Sequence, residues 1–209
     1  MNSRHAPASA ALLLALLPAA LLLSNFAGAQ TASVPTSAPA SQQVDPRYLA
    51  WSSFKVGASV TTKVVQEING KMDYTKERTE TLSSLDDKQF VLDFVSTTTQ
   101  ADGSKNPTTG KSTVTKTGMY SAASAAEPGV TKTEGDEEIQ IAAKNIKTHW
   151  TLTESARPNG GSMSLKVWNS PEIPGGLAKS ESTFKTATDP TTTTVTHQTL
   201  VVTAFDSKK

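Results

Sequence analysis

The sequence lacks cysteine and has few of the side chains that most often carry enzyme chemistry. Of its 209 residues only three are histidines, and aromatic residues make up 6%. Without cysteine the chain can form neither a disulfide nor a lipid attachment at a lipoprotein box, so its fold must depend on packing and backbone hydrogen bonds. So few histidines also argue against a zinc site, and we expect no cofactor and no metal.

The chain also lacks a large net charge of either sign. The chain has 20 basic and 19 acidic residues, and removal of a leader containing Arg4 would balance them. Nucleic-acid binders usually carry a basic face, because phosphate contacts dominate their affinity. The balanced and interspersed charges therefore argue against nucleic acid as a partner, and against an anionic membrane surface.

Residues 1–29 have the three-part layout of a secretory signal peptide. A short polar start leads into an apolar run at residues 10–23, and Ala27-Gly28-Ala29 offers the small residues at which a signal peptidase cleaves. A membrane anchor is the alternative, but the run is shorter than the roughly 20 residues that span a bilayer, and Pro18 interrupts it. We expect an exported protein, periplasmic or extracellular, with no transmembrane segment in the mature chain.

The remaining sequence divides into a tether and one domain. Residues 30–44 are rich in Ser, Ala, Thr and Pro, which is typical of a flexible tether. Residues 45–209 are enough for a single domain with a sizeable core. Asp45-Pro46 predicts a short helix, since aspartate caps a first turn and proline fits into it, and Gly57 is expected to end it.

Alternation of apolar and polar residues after Gly57 predicts about nine antiparallel strands. Asn69-Gly70 predicts a tight hairpin turn, and residues 118–133 predict a long exposed loop. The last strand, residues 191–205, is apolar on both faces, so we expect it at the centre of the sheet or under the helix. The predicted fold is a curved antiparallel sheet or open half-barrel with one short N-terminal helix, and a β-sandwich is the alternative.

The most individual stretch is residues 167–176, Val-Trp-Asn-Ser-Pro-Glu-Ile-Pro-Gly-Gly. It places a large aromatic residue on the nominally polar face at a strand end. One interpretation is a rigid lip that closes over an apolar ligand; the other is a structural segment that caps the sheet edge or packs under the helix. On the first interpretation the candidate ligand-binding residues are Trp150, Trp168, Ile173, Pro174, Gly175 and Gly176.

This stretch and the earlier Trp51-x-x-Phe54-x-Val56-Gly57-x-x-Val60 resemble a set of exported bacterial proteins of uncharacterised function. More loosely, a helix leading into a curved antiparallel sheet is similar to the periplasmic lipoprotein carriers. The second resemblance implies a concave apolar cavity that holds acyl chains. The sequence departs from those carriers because it is rich in threonine, poor in aromatics, and without the extra helices that plug their cavity.

Two short matches to the penicillin-binding enzymes have a simpler explanation. Ser52-x-x-Lys55 and Lys116-Thr117-Gly118 fit the Ser-x-x-Lys and Lys-Thr-Gly patterns. Those enzymes place their serine in a large helical domain, for which this β-rich chain has no room. In a sequence so rich in Ser, Thr and Lys, both matches are expected by chance.

The two histidines of the domain predict no active site. His149 falls on the polar face of its strand, where solvation is the expected role. His197 falls in an apolar row, where we expect a core histidine with one hydrogen-bond partner; a polar group in a pocket is the alternative. We therefore expect a non-catalytic exported protein whose partner is an apolar or lipid-like small molecule. A structural or protein-interaction module with an envelope protein as partner is the alternative, and a hydrolase is a third.

Overall fold

A computed structural model describes residues 41–120, 129–156, 161–189 and 192–209. The predicted signal peptide and residues 30–40 of the predicted tether lie outside these ranges, as does the middle of the predicted loop at residues 121–128. No helix in the described part of the chain is long and apolar enough to cross a membrane.

The chain forms one short helix and eleven strands within the described residues. In order they are β1 Ser41–Val44, α1 Pro46–Ser52, β2 Ser59–Ile68, β3 Lys71–Leu85, β4 Gln89–Gln100, β5 Lys105–Thr115, β6 Thr117–Tyr120, β7 Val130–Ile141, β8 Lys144–Ala156, β9 Ser162–Asn169, β10 Leu177–Asp189 and β11 Thr192–Asp206. Nine strands form one antiparallel sheet in the order β5-β4-β3-β2-β11-β10-β9-β8-β7, and β1 pairs with β6. The prediction of an open, curved antiparallel sheet with one short helix is confirmed.

Strand β11 takes the middle position of the nine, between β2 and β10. Both of its faces carry apolar side chains at this point, Val201 on one and the buried Val202 on the other. A central strand is hydrogen-bonded on both edges, and side chains of two neighbouring strands flank it on each face, so it shields such a sequence better than an edge strand would. The predicted central place of the C-terminal strand is confirmed.

Helix α1 begins as its sequence predicts and ends earlier. The Asp45 carboxylate accepts a hydrogen bond of 2.7 Å from the backbone N–H of Arg47, and proline occupies the first turn. The helix ends at Ser52 instead of continuing to Gly57. The reason is competition from the sheet: the backbone N–H of Lys55 donates to the carbonyl of Lys208, and that of Gly57 to the carbonyl of Leu82.

The turn between β2 and β3 has the predicted geometry. Asn69 and Gly70 both adopt positive φ, 52° and 73°, as a two-residue hairpin loop of the I′ type requires. The side chain of Asn69 also accepts a hydrogen bond of 2.8 Å from the backbone N–H of Val195 in β11. The turn therefore also fixes the neighbouring strand.

Backbone pairing extends into segments predicted to be irregular. Residues 41–44 of the predicted tether pair as β1 with β6, whose residues 118–120 belong to the predicted loop. Strand β7 begins at Val130, also inside that loop. Strand β5 begins at Lys105, within residues 100–110, where Asp102-Gly103 and Asn106-Pro107 predict a loop or loose hairpin. Pro107 is tolerated in β5 because this is an edge strand, where a missing N–H need not break a ladder.

Most of the core lies at one end of the sheet, on the face that carries α1, which we call the inner face. Tyr48 and Trp51 of α1 contact the ring of Phe90 in β4, with centroids 6.2 and 6.1 Å away. The buried cluster includes inner-face side chains near the same end of the main-sheet strands, among them Val60, Leu82, Leu92, Val114 and Val202. We call this the helix end; the opposite end, at the Asn69-Gly70 turn, is the open end. The buried cluster continues into β7 to β9, where Ile141, Ile146 and Trp168 belong to the opposite face by register.

Candidate functional site

The strand register determines which side chains share the inner face beyond the core. Residues directly opposite each other in antiparallel strands lie on the same face. Two rows follow the core toward the open end. The first comprises Thr98, Lys76, Val64, Leu200, Ser180, Val167 and Thr151. The second comprises Gln100, Tyr74, Gln66, Gln198, Ser182, Leu165 and Thr153.

One half of this surface is apolar. Leu200 of β11, Val167 and Leu165 of β9 lie in the two rows, and Phe184 and Met163 form the next pair toward the open end. All five are only partly buried. We call these five residues the apolar half. These five side chains are large and lie on the inner face of β9, β10 and β11. Helix α1, which covers the core on the same face, contacts β4 and β5 instead.

The other half of the inner face is polar and hydrogen-bonded. Gln198 Nε2 donates to Gln66 Oε1 and to the hydroxyl of Tyr74, each at 3.2 Å. Gln66 Nε2 donates in turn to Asp73 at 2.8 Å. Burial raises the pKa of Tyr74, the hydrogen bond from Gln198 opposes that change, and the charge of Asp73 adds to it. Tyr74 is thus a neutral hydroxyl at ordinary pH.

Two cations follow Tyr74 on the same face of β3, and only one of them is neutralised. The Arg78 guanidinium donates two hydrogen bonds to Glu80, of 2.9 and 2.8 Å, and lies 3.9 Å from the ring centroid of Phe94. Lys76 forms no ion pair within the described part of the chain. Burial and the charge of Arg78 lower the pKa of Lys76, and Glu80 opposes them.

A shallow hollow of about 550 Å³ lies at the open ends of β7 to β10. Met163 and Ser155 of the inner face line part of it. Other lining side chains, among them Glu154, Ser164 and Thr183, form one row of the opposite face. The hollow therefore lies at the edge between the two faces.

Four of the six predicted site residues lie in the loop after β9, and this loop packs on the helix. Ile173 and Pro174 are completely buried. Gly175 has φ +81°, and a Cβ there would lie 3.0 Å from the indole nitrogen of Trp51. The loop is closed by a hydrogen bond from the N–H of Ser170 to the carbonyl of Gly176. The structure places this loop as the structural interpretation expects, and a role in ligand binding stays a prediction.

The other two predicted residues, Trp150 and Trp168, are opposite each other on the outer face. Trp168 is only 3% exposed, and its indole N–H donates to Glu137. The ammonium group of Lys166 lies 4.4 Å from both ring centroids, and that of Lys179 lies 4.7 Å from the Trp168 ring. Alternating cations and rings stabilise this stack. Trp168 and Ile173 belong to one buried cluster, against which Trp150 packs, and a role of these residues in ligand binding stays a prediction.

The histidines and the serine of the enzyme-like motif lie apart from the inner rows. His149 is exposed and is 2.9 Å from Asp136. His197, predicted as a core residue, is half-buried on the outer face, 3.0 Å from the hydroxyl of Thr183. Ser52 donates to the carbonyl of Leu49 within α1. The described residues contain no cluster of three or more His, Asp or Glu side chains that could hold a metal ion.

Sequence reasoning missed Lys76, Arg78 and the apolar half. The available signal was Lys76-x-Arg78-x-Glu80, which places three charges on one face of a strand that pairs with the apolar Val60 and Val64. Charges on the covered face of a strand are costly unless they are paired or functional. That conflict is visible in the sequence only once the pairing of β2 with β3 is known.

Comparisons with protein-family models and with curated proteins found no match to this chain. One solved structure to which it is similar is the S-type phycobiliprotein lyase CPES from Guillardia theta. The sequence identity is 9%, the TM-score is 0.28, and the alignment covers 78% of this chain and 92% of that one. A likeness this weak carries no argument about what the chain binds.

Proposed function

We propose that the protein is an exported, non-catalytic binding protein that holds a small lipid-like molecule on its inner face. The observation that supports this proposal is the apolar half: Leu200, Val167, Leu165, Phe184 and Met163 share the inner face and are only partly buried. Contacts with the apolar body of a ligand would remove their remaining surface from water, the main favourable term in such binding.

The position of the helix explains why these side chains remain available. Helix α1 and the loop at residues 170–176 cover the helix end, where Phe90 and Ile173 have no exposed surface. From Leu200 toward the open end, burial of the inner-face apolar side chains is only partial. An antiparallel sheet with one solvated face normally presents polar residues there, so this apolar surface favours a ligand over plain solvation.

Docking of an envelope protein on a sheet edge has less support. The edge strand β5 carries Lys105, Pro107 and Lys111, and the other edge, β7, carries Lys132 and Glu134. Charges and proline at edges are the usual means of preventing strand addition. The edges are thus built against the interaction that an exposed strand would otherwise offer.

Binding is tested with the neutral fluorophore N-phenyl-1-naphthylamine and two matched leucine variants. We expect saturable enhancement of its fluorescence by the wild-type protein. Leu165→Asn, on the inner face of β9, should weaken binding about fivefold or more, because a partly buried leucine contributes on the order of 1 kcal/mol to an apolar contact. Leu152→Asn, on the outer face of β8, should leave binding unchanged.

The control is informative because both leucines are partly buried and lie on neighbouring strands. Equal losses in the two variants would indicate general loosening of the sheet. Absence of any binding by the wild-type protein, together with ligand-free native mass spectra after purification from cells, would contradict the proposed function.

A further inference from the structure

We propose that the ligand is an anionic amphiphile, with its charged head group bound at Lys76 and its apolar chain lying across β11, β10 and β9. This inference rests on the proposed function and adds the charge, orientation and length of the ligand. The observation behind it is the position of Lys76, which lies in the same inner-face row as Leu200 and Val167 of the apolar half.

Lys76 lies in the row that leads directly to the apolar half. Its partners across the strands are Thr98 on one side and Val64 on the other, and Val64 is opposite Leu200. Val64 is itself buried, so Leu200 is the first partly exposed apolar position that a chain extending from Lys76 would meet before β10 and β9. The hydroxyl of Thr98 offers a second donor beside the ammonium group.

The charges around Lys76 leave it available for an anion. Its neighbour Arg78 is held by two hydrogen bonds to Glu80 and by the ring of Phe94. The ring in turn fits because Gly110 faces it; a Cβ at this glycine would lie 2.8 Å from the ring. Glu80 is thus occupied by Arg78, and the pKa of Lys76 is lowered by its burial and by Arg78. An anion that paired with Lys76 would favour its charged form and so oppose both effects.

The layout also sets the length of the ligand. Neighbouring strands are roughly 4.8 Å apart, so the four steps from β3 through β2, β11 and β10 to β9 cover up to about 19 Å. A short organic acid could occupy only the Lys76 end of this path. The geometry therefore points to a long-chain acid, which can contact Lys76 and Leu165 at the same time.

The test compares two ligands that differ only in the head group, hexadecenoic acid and hexadecenol, as competitors of bound N-phenyl-1-naphthylamine. For the wild-type protein we expect the acid to displace the fluorophore at a concentration roughly tenfold lower than the alcohol, as a charge-assisted hydrogen bond predicts. Lys76→Gln should remove this preference by weakening the acid alone. Lys63→Gln, which removes an exposed lysine on the opposite face of β2, should retain it.

The possible outcomes of these competition experiments separate the proposed anionic ligand from the proposed function. Equal displacement by acid and alcohol in the wild-type protein, or an acid preference that survives in Lys76→Gln, would overturn the inference while leaving the binding of apolar molecules intact. Displacement by neither compound would overturn it as well, since the proposed path would then not hold a long chain. Failure of the fluorophore itself to bind is a different outcome, because it contradicts the proposed function. Thermal melts of the ligand-free Lys76→Gln protein should show no loss of stability, which separates an effect on binding from misfolding.

Discussion

Replacement of Phe90 by alanine is expected to lower the free energy of unfolding by about 3–5 kcal/mol. The side chain has 0% exposure and lies between the two aromatic rings of α1 and the sheet. Its removal would leave a cavity where Tyr48 and Trp51 now contact β4, so the helix would lose its main attachment to the sheet. Urea denaturation followed by circular dichroism measures this loss.

The matched control lies in the same strand. Val95→Ala changes a side chain on the outer face of β4 that is 59% exposed, and such surface changes usually alter stability by no more than about 0.5 kcal/mol. A large loss in both variants would show that β4 tolerates no substitution. A small loss in Phe90→Ala would contradict the location of the core at the helix end.

The second large effect is expected at Gly175. Alanine at this position would adopt a φ of +81° and would place its Cβ 3.0 Å from the Trp51 indole nitrogen. Positive φ alone costs an L-residue about 1–2 kcal/mol, and displacement of a buried indole adds a comparable amount. We therefore expect Gly175→Ala to lower the free energy of unfolding by about 2–4 kcal/mol.

Gly176→Ala separates the two contributions. Its φ is +77°, so the backbone strain is similar, but the new Cβ would meet Ala50 at 3.5 Å, an ordinary contact. The loss of stability should be clearly smaller than at Gly175, and tryptophan fluorescence should change only in Gly175→Ala. Equal losses at both glycines would mean that the loop does not pack against Trp51 as described.

The fold was largely predictable because its determinants are local. Alternation identified most of the main strands, and the turn residues Asn69 and Gly70 fixed one hairpin without knowledge of the rest. The last strand has apolar residues on both faces, and this unusual pattern predicted its position at the centre of the sheet. Strands β1 and β6 could not be found in this way, because each gains its hydrogen bonds only from a partner more than 70 residues away.

The candidate site was less predictable because it depends on strand register, that is, on which residues of neighbouring strands lie opposite each other. The sequence drew attention to Trp168 because of its size and its unexpected face. In the structure it belongs to the buried cluster and contacts Lys166, Lys179 and Glu137, and its role in ligand binding stays a prediction. No motif in the sequence distinguishes Lys76 from the other lysines. Its significance appears only when the pairing of β3, β2 and β11 places it beside Leu200.

The retention of Lys76 on the inner face is difficult to explain by stability alone. A partly buried lysine beside an arginine loses hydration and gains repulsion, and its stem could be replaced by an uncharged side chain of similar size. Residues that cost stability are frequently those that function requires. The energetic cost of Lys76 therefore supports the anionic ligand that we propose for the inner face.

The most direct measurement is methyl nuclear magnetic resonance of the protein with a stearic acid that carries a nitroxide spin label near the end of its chain. We expect the Leu165 and Leu200 methyl signals, on the inner face, to be broadened more strongly than the Leu152 and Val95 signals on the outer face. Broadening centred on the outer-face residues, or none at a saturating concentration of the acid, would contradict this expectation.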